Sequence, residues 1–217
     1  MRPLSLIFLL FMPYFLTGCS QRFQDTNDTL KEAFFGLEDI QISKEQLQEL
    51  PYASLYARIN DGPQIFMVLA FVDINPSGTA PILKWLSADG AMVVTENGRI
   101  TKTLSLPGSN LAYLNASTVP AVDNPIWQAT FDWQPNYRFS QVASVNTQLV
   151  NREIIESVLW KEQTSHIREF YYFNDSETTM TSDYWLNKEG KVLKTTQWLI
   201  PEELYIELEI LKPYAGN

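Results

Sequence analysis

Cysteine and histidine are nearly missing from this chain, which holds one of each, Cys19 and His166, in 217 residues. That excludes a disulfide framework, a Cys/His zinc cluster and any catalytic Cys–His arrangement needing a second copy of either residue. Positive charge is scarce as well. Sixteen Lys and Arg stand against 25 Asp and Glu, giving a formal charge of −9. The long-range field repels nucleic acid, so no nucleic-acid partner is expected. No Gly-x-Ser-x-Gly elbow, Gly-rich phosphate loop, His-Glu-x-x-His pair or EF-hand spacing occurs, and without them enzymatic chemistry has no motif to rest on. What the chain does have is 45% hydrophobic and only 19% charged residues, enough to build a core that a disordered protein lacks.

Apolar residues first gather at the N-terminus. After Arg2 an uncharged run extends over residues 3–18, with Leu4 and the stretch from Leu6 to Met12 at its centre. A spanning helix needs about 20 apolar residues. This run is shorter and carries Pro13, so residues 1–18 read as a cleaved secretory signal. It ends in Leu16-Thr17-Gly18-Cys19, which resembles the bacterial lipobox. The resemblance implies cleavage before Cys19, a diacylglycerol on its thiol and an acyl chain on the new amino group; no other cofactor is expected. One acyl chain holds a protein only reversibly, whereas several hold it lastingly. Ser20, where aspartate would retain such a protein at the inner membrane, favours an outer-membrane lipoprotein facing the periplasm. Residues 19–28 are mostly polar and read as a tether. Residues 29–217 are long enough to bury a full core and read as a single β-rich domain.

The domain begins with helix signals. Thr29 and Glu32 have capping-box spacing, with Leu30, Ala33, Phe34 and Leu37 on one face. A second short helix starts at Ser43, turns Leu47 and Leu50 inward and stops at Pro51. From there β-branched and aromatic segments alternate with turn residues. Strands are predicted over 54–59, 65–72, 82–87, 91–96, 99–104, 126–134, 138–148, 152–162, 166–173, 178–186, 191–199 and 205–211. Trp127, Ala129, Phe131 and Trp133 alternate with Gln128, Thr130 and Asp132, which demands a sheet with a dry side and a wet side. Asn60-Asp61-Gly62-Pro63, Asp89-Gly90, Asn97-Gly98 and Glu189-Gly190 supply tight turns. The expected fold is mainly β, an antiparallel barrel or half-barrel-like sheet of roughly 10–12 strands with one or two short N-terminal helices.

Two segments echo each other. The stretches 96–103 and 188–195 share a turn glycine, a base, a β-branched residue and then Lys-Thr, and each follows a Trp-Leu pair, Trp85-Leu86 or Trp185-Leu186. A duplicated half-barrel and two hairpins with the same turn chemistry both fit. Arg99, Lys102, Lys188, Lys191 and Lys194 concentrate base at these turns, either as a local anion site or as solvated turn charges. Aromatic rings either line a polysaccharide groove or fill a barrel. In Phe170-Tyr171-Tyr172-Phe173 two rings fall on each face of a strand. The candidate binding residues are Trp85, Trp185, Arg99, Lys102, Lys191 and Lys194. His166 reads as a strand-face histidine held by hydrogen bonds. Glu207 and Glu209 read as acids on a solvated strand face.

Three stretches together resemble a known family: Arg58 to Gln64 before an apolar strand, Lys84-Trp85-Leu86-Ser87-Ala88-Asp89-Gly90, and Thr95 to Thr103. They are similar to the YjbF/GfcB family of group 4 capsule lipoproteins. The resemblance runs from the lipobox to the last strand. It implies a mostly β, barrel-like lipoprotein of the outer membrane, encoded among capsule or exopolysaccharide secretion genes, and carries over Cys19 but no catalytic residue. The expected role is non-enzymatic assistance in polysaccharide assembly or export, through binding of the glycan or of an export-machinery protein. The alternative is a lipid or lipoprotein carrier of the open half-barrel type, which needs a large apolar cavity with the N-terminal helices as its lid.

Overall fold

The computed structural model describes residues 38–74, 80–116, 119–123 and 125–216. The signal segment, Cys19 and the helix predicted from Thr29 lie outside them. The second predicted helix is present as α1 (Lys44–Glu49). Ser43 caps it in a reciprocal box with Gln46, and Leu47 is its buried residue, as the spacing of polar and apolar positions dictates.

Twelve antiparallel strands follow: β1 (Ser54–Ile59), β2 (Gln64–Ile74), β3 (Pro81–Ser87), β4 (Met92–Glu96), β5 (Arg99–Leu104), β6 (Asn110–Ala116), β7 (Ile126–Gln134), β8 (Arg138–Glu156), β9 (Lys161–Phe173), β10 (Thr178–Leu186), β11 (Val192–Ile200) and β12 (Leu204–Lys212). They form one sheet in the order β5-β4-β3-β2-β1-β12-β11-β10-β9-β8-β7-β6. Every neighbour in that order is a sequential hairpin except β1 and β12, which pair from Ser54 with Lys212 to Ile59 with Ile206. The two outermost strands then face each other. There the Leu111 amide donates to Thr103 Oγ1 at 2.9 Å and the Leu106 amide to Asn110 Oδ1 at 3.2 Å, so side chains do the work of a backbone ladder. The result is the nearly closed, mostly antiparallel barrel that the sequence leads one to expect.

The interior follows the pleat. Trp127, Ala129, Phe131 and Trp133 all point inward from β7. Tyr171 and Phe173 on β9 meet Phe131 with ring centroids 5.7 and 5.5 Å apart, and Trp85, Met67, Ile100 and Ile206 complete the same cluster. Burying each large apolar side chain contributes about 1.5–3 kcal/mol, so this cluster is the main stabilising mass of the fold.

A second, smaller cluster lies on the outer face. Tyr56, Phe66 and Leu211 point outward from β1, β2 and β12, and Ile40 and Leu47 cover them. The Ile42 amide donates to the Tyr56 hydroxyl at 2.7 Å. α1 therefore packs on the outside of the wall, while the other helix expected as part of a lid lies outside the described residues.

Strands β8 and β9 outrun the sheet. Pairing of β9 with β10 ends at Ser165 opposite Leu186, and the ribbon below it, residues 149–164, bends over the outer face. At its tip Trp160 Nε1 donates to the Ile210 carbonyl at 2.7 Å, Ser157 bonds Glu209, and Leu159 packs on the outer cluster.

Candidate functional site

Two of the candidate residues turn out to be interior. Trp85 is fully buried, with Nε1 donating to Thr95 Oγ1 at 2.9 Å. Arg99 begins β5 and reaches across the barrel to Glu169 on β9. Its Nη1 and Nη2 donate to Glu169 Oε2 and Oε1 at 2.5 and 2.8 Å, and Nη1 also donates to the Tyr171 hydroxyl at 2.7 Å. The guanidinium lies 4.8 Å from the centroid of the Trp127 ring. Burial by itself would push Arg99 down, but the Tyr171 and Tyr184 hydroxyls and the Glu169 carboxylate outweigh it and hold the guanidinium charged. Burial also pushes the Tyr171 and Tyr184 hydroxyls up.

The echoed hairpins meet at this cluster. Gln197 on β11 accepts from the Ile100 amide and donates to the Gly98 carbonyl, each at 3.0 Å. A Cβ on Gly98 would lie 2.4 Å from Val192 Cβ, so only glycine lets the β4–β5 turn close on the start of β11. The pocket between Trp85, Gly98 and Val192 holds about 20 Å³, room for a water and not for an acyl chain.

The remaining bases do not join Arg99. Lys102 is exposed on β5, opposite Val94. Lys191 is exposed 3.3 Å from Glu189, and Lys194 lies 5.6 Å over the Trp185 ring. The structure does not bring Arg99 and these lysines into one site: Arg99 pairs with Glu169 inside the wall. The same burial removes Trp85 from any sugar-stacking role.

Trp185 is on the outer face and is half-buried. His166 from β9 stacks on it at 4.4 Å and 11°, and Glu153 from the ribbon accepts from its Nε1 at 2.7 Å. His166 Nε2 donates to Asp183 Oδ1 at 2.5 Å, and Arg168 Nε donates to the same oxygen at 2.7 Å. The histidine is held by hydrogen bonds on a strand face, as expected. With His166 on one neighbouring strand and Lys194 on the other, the Trp185 ring has little free surface. Glu207 and Glu209 lie on the outer face of β12, opposite Arg58 and Tyr56 respectively.

A free aromatic surface lies higher on β9. Phe170 and Tyr172 point outward, 40% and 44% exposed, while Tyr171 and Phe173 point inward. The outward pair borders an open groove of about 560 Å³ whose rim carries Ile126 from β7, Ser144 and Asn146 from β8, and Thr179 and Thr181 from β10. The period-2 spacing placed two rings on each face, and register alone decides which two.

The chain has relatives among known proteins. Residues 27–211 match the family described as group 4 capsule polysaccharide lipoprotein gfcB, YjbF. The chain belongs to the YjbF family. Lipoprotein GfcB of Escherichia coli (strain K12) is 30% identical to it over 98% of this chain and 99% of that protein. Lipoprotein YjbF of the same organism is 28% identical over 91% and 92%. The crystal structure of the lipoprotein YmcC from Escherichia coli (K12) has a TM-score of 0.71, 23% identity and coverage of 92% of this chain and all of that one, which fixes the fold. YjbF-family membership makes the chain a lipoprotein of a capsule polysaccharide family. No helix among the described residues is long and apolar enough to cross a membrane.

Proposed function

We propose that this protein is a non-enzymatic lipoprotein, held on the periplasmic face of the outer membrane by acyl chains at Cys19, that binds a capsular or exopolysaccharide glycan during assembly or export. The outward groove carries this reading. Sugar rings present apolar faces edged with hydroxyls. Phe170 and Tyr172 offer rings for the former, and Ser144, Asn146, Thr179 and Thr181 offer neutral donors and acceptors for the latter. The groove's lining has no carboxylate, whereas glycoside hydrolysis uses a facing pair of acids. The arrangement therefore suits holding a chain without cleaving it. A carrier role has no support at the pocket between Trp85 and Val192, which holds no more than a water.

The test combines binding and genetics. The purified protein is titrated with polysaccharide from the producing strain, and a strain lacking the gene is complemented with each variant. Replacing Phe170 or Tyr172 by Ala should weaken binding about tenfold each, and the double variant should fail to restore surface polysaccharide. Undiminished binding together with full complementation by the double variant would remove the groove from the function.

A further inference from the structure

In a barrel of sequential antiparallel hairpins, alternate turns lie at the same end. The β1–β2, β7–β8, β9–β10 and β11–β12 turns therefore share one end. Contacts tie three of them together. Asn60 in the β1–β2 turn donates through Nδ2 to the Glu203 carbonyl at 3.3 Å, and the Glu203 carboxylate takes Arg138 Nη1 and Nη2 at 2.7 and 2.9 Å. The described chain also enters here. Asp39 takes Arg58 Nη1 and Nη2 at 3.0 and 2.7 Å and the Gln64 amide at 2.8 Å. The first described residues thus meet the barrel at the same end as the β7–β8 turn.

That turn carries two rings which the core does not use. Tyr137 is 84% exposed and Phe139 is 48% exposed, with centroids 6.0 Å apart. Tyr137 has φ of 51°, a conformation in which glycine or asparagine is at ease and a tyrosine is uncommon. Backbone preference therefore does not account for a ring at this position. The turn is also braced: Arg138 is fixed on Glu203 and lies 5.3 Å over the Trp133 ring, and the Ser140 amide donates to Asp132 Oδ1 at 2.8 Å. The rings are presented on a rigid mount, so inserting them costs little ordering entropy.

We propose that Tyr137 and Phe139 form an interfacial foot that seats this end of the barrel against a lipid bilayer. Aromatic side chains with a polar tip or a polar neighbour settle at the headgroup boundary. The exposed acids on the adjoining turns, Asp61, Asp175, Glu177 and Glu202, disfavour anionic headgroups. The surface that fits is zwitterionic. The acyl anchor brings the domain to the membrane and the foot selects which end faces it; the inference rests on the anchoring part of the proposed function.

Photocrosslinking tests this on the full chain as cells make it, purified from membranes and reconstituted into dioleoylphosphatidylcholine vesicles doped with a diazirine-bearing phosphatidylcholine. Lipid adducts should concentrate on Tyr137 and Phe139 relative to the opposite-end turn at 187–190. They should fall about tenfold in the Tyr137→Ser/Phe139→Ser variant, with unchanged circular dichroism. Adducts spread evenly over both ends, or adducts at 135–139 that survive the double substitution, would overturn the proposal. So would loss of polysaccharide affinity in that variant with lipid adducts unaltered, which would make the foot a glycan contact. The mass of the N-terminal peptide reads the anchor separately. An unmodified Cys19 with adducts at the two rings would end the acyl-anchor reading and leave the foot standing.

Discussion

Arg99 and Glu169, 70 residues apart in sequence, grip each other through both pairs of terminal atoms inside the barrel, with 3% and 0% of their side chains exposed. The pair joins β5, one edge of the sheet, to β9 on the opposite wall. Desolvating two charges offsets much of their attraction, but removing one partner strands the other in a dry interior.

Arg99→Leu and Glu169→Leu should therefore each lower stability by about 3–5 kcal/mol, and the double substitution should cost clearly less than the two singles added together. Urea unfolding followed by circular dichroism measures all three. Single variants as stable as the parent would mean that the pair is not sealed from water.

Gly98→Ala meets both a positive φ and a side chain, whereas Gly90→Ala, also at positive φ, meets nothing within 4 Å. The first should be destabilised well beyond the roughly 1 kcal/mol expected of backbone strain alone, and the second should stay near it. Equal midpoints in thermal unfolding would contradict the close approach of the two hairpins.

Tyr171 and Tyr184 hold their protons more tightly folded than unfolded, because burial raises both hydroxyls above the ordinary value of about 10. Their contribution is complete below that value and is lost as the pH rises past it, since the unfolded chain ionises first. Stability measured from pH 8 to 12 should fall beyond about pH 10, and less steeply in Tyr184→Phe. A flat profile would show that neither hydroxyl is sealed.

Cys19→Ser should leave the chain unprocessed, without incorporated palmitate and absent from the outer-membrane fraction. Fractionation and radiolabelling decide it. Normal-sized protein in the outer membrane would remove the lipid from the account.

Much of the wall is written in the sequence because inward and outward positions alternate. The strands β1, β5, β7 and β10 begin and end where periodicity puts them. β6 is not foreseen, since Asn110, Asn115 and two alanines dilute its pattern. The segments 138–148, 152–162 and 166–173 are in fact two long strands. Their turn at Ser157-Val158-Leu159-Trp160 has no glycine, proline or asparagine to mark it, and is closed by the Ser157 amide on the Trp160 carbonyl at 2.8 Å. The interior clamp is half legible. Glu169 falls in register with Ile167, Tyr171 and Phe173, which places a carboxylate on a dry face. Nothing local to Arg99 names it as the partner, because that pairing exists only once the sheet curls.

The covalent break and the hydrogen-bonded break of this ring fall in different places. First and last strands are stitched by a backbone ladder although no peptide joins them, while β5 and β6 are consecutive in the chain and are joined through side-chain bonds. Five strands and seven strands can each zip locally, but the cylinder exists only when β1 and β12 find each other, the most distant strand pairing the topology holds. Loss of the nine residues of β12 would leave two half-shells with open edges, so the ring cannot close before that strand exists.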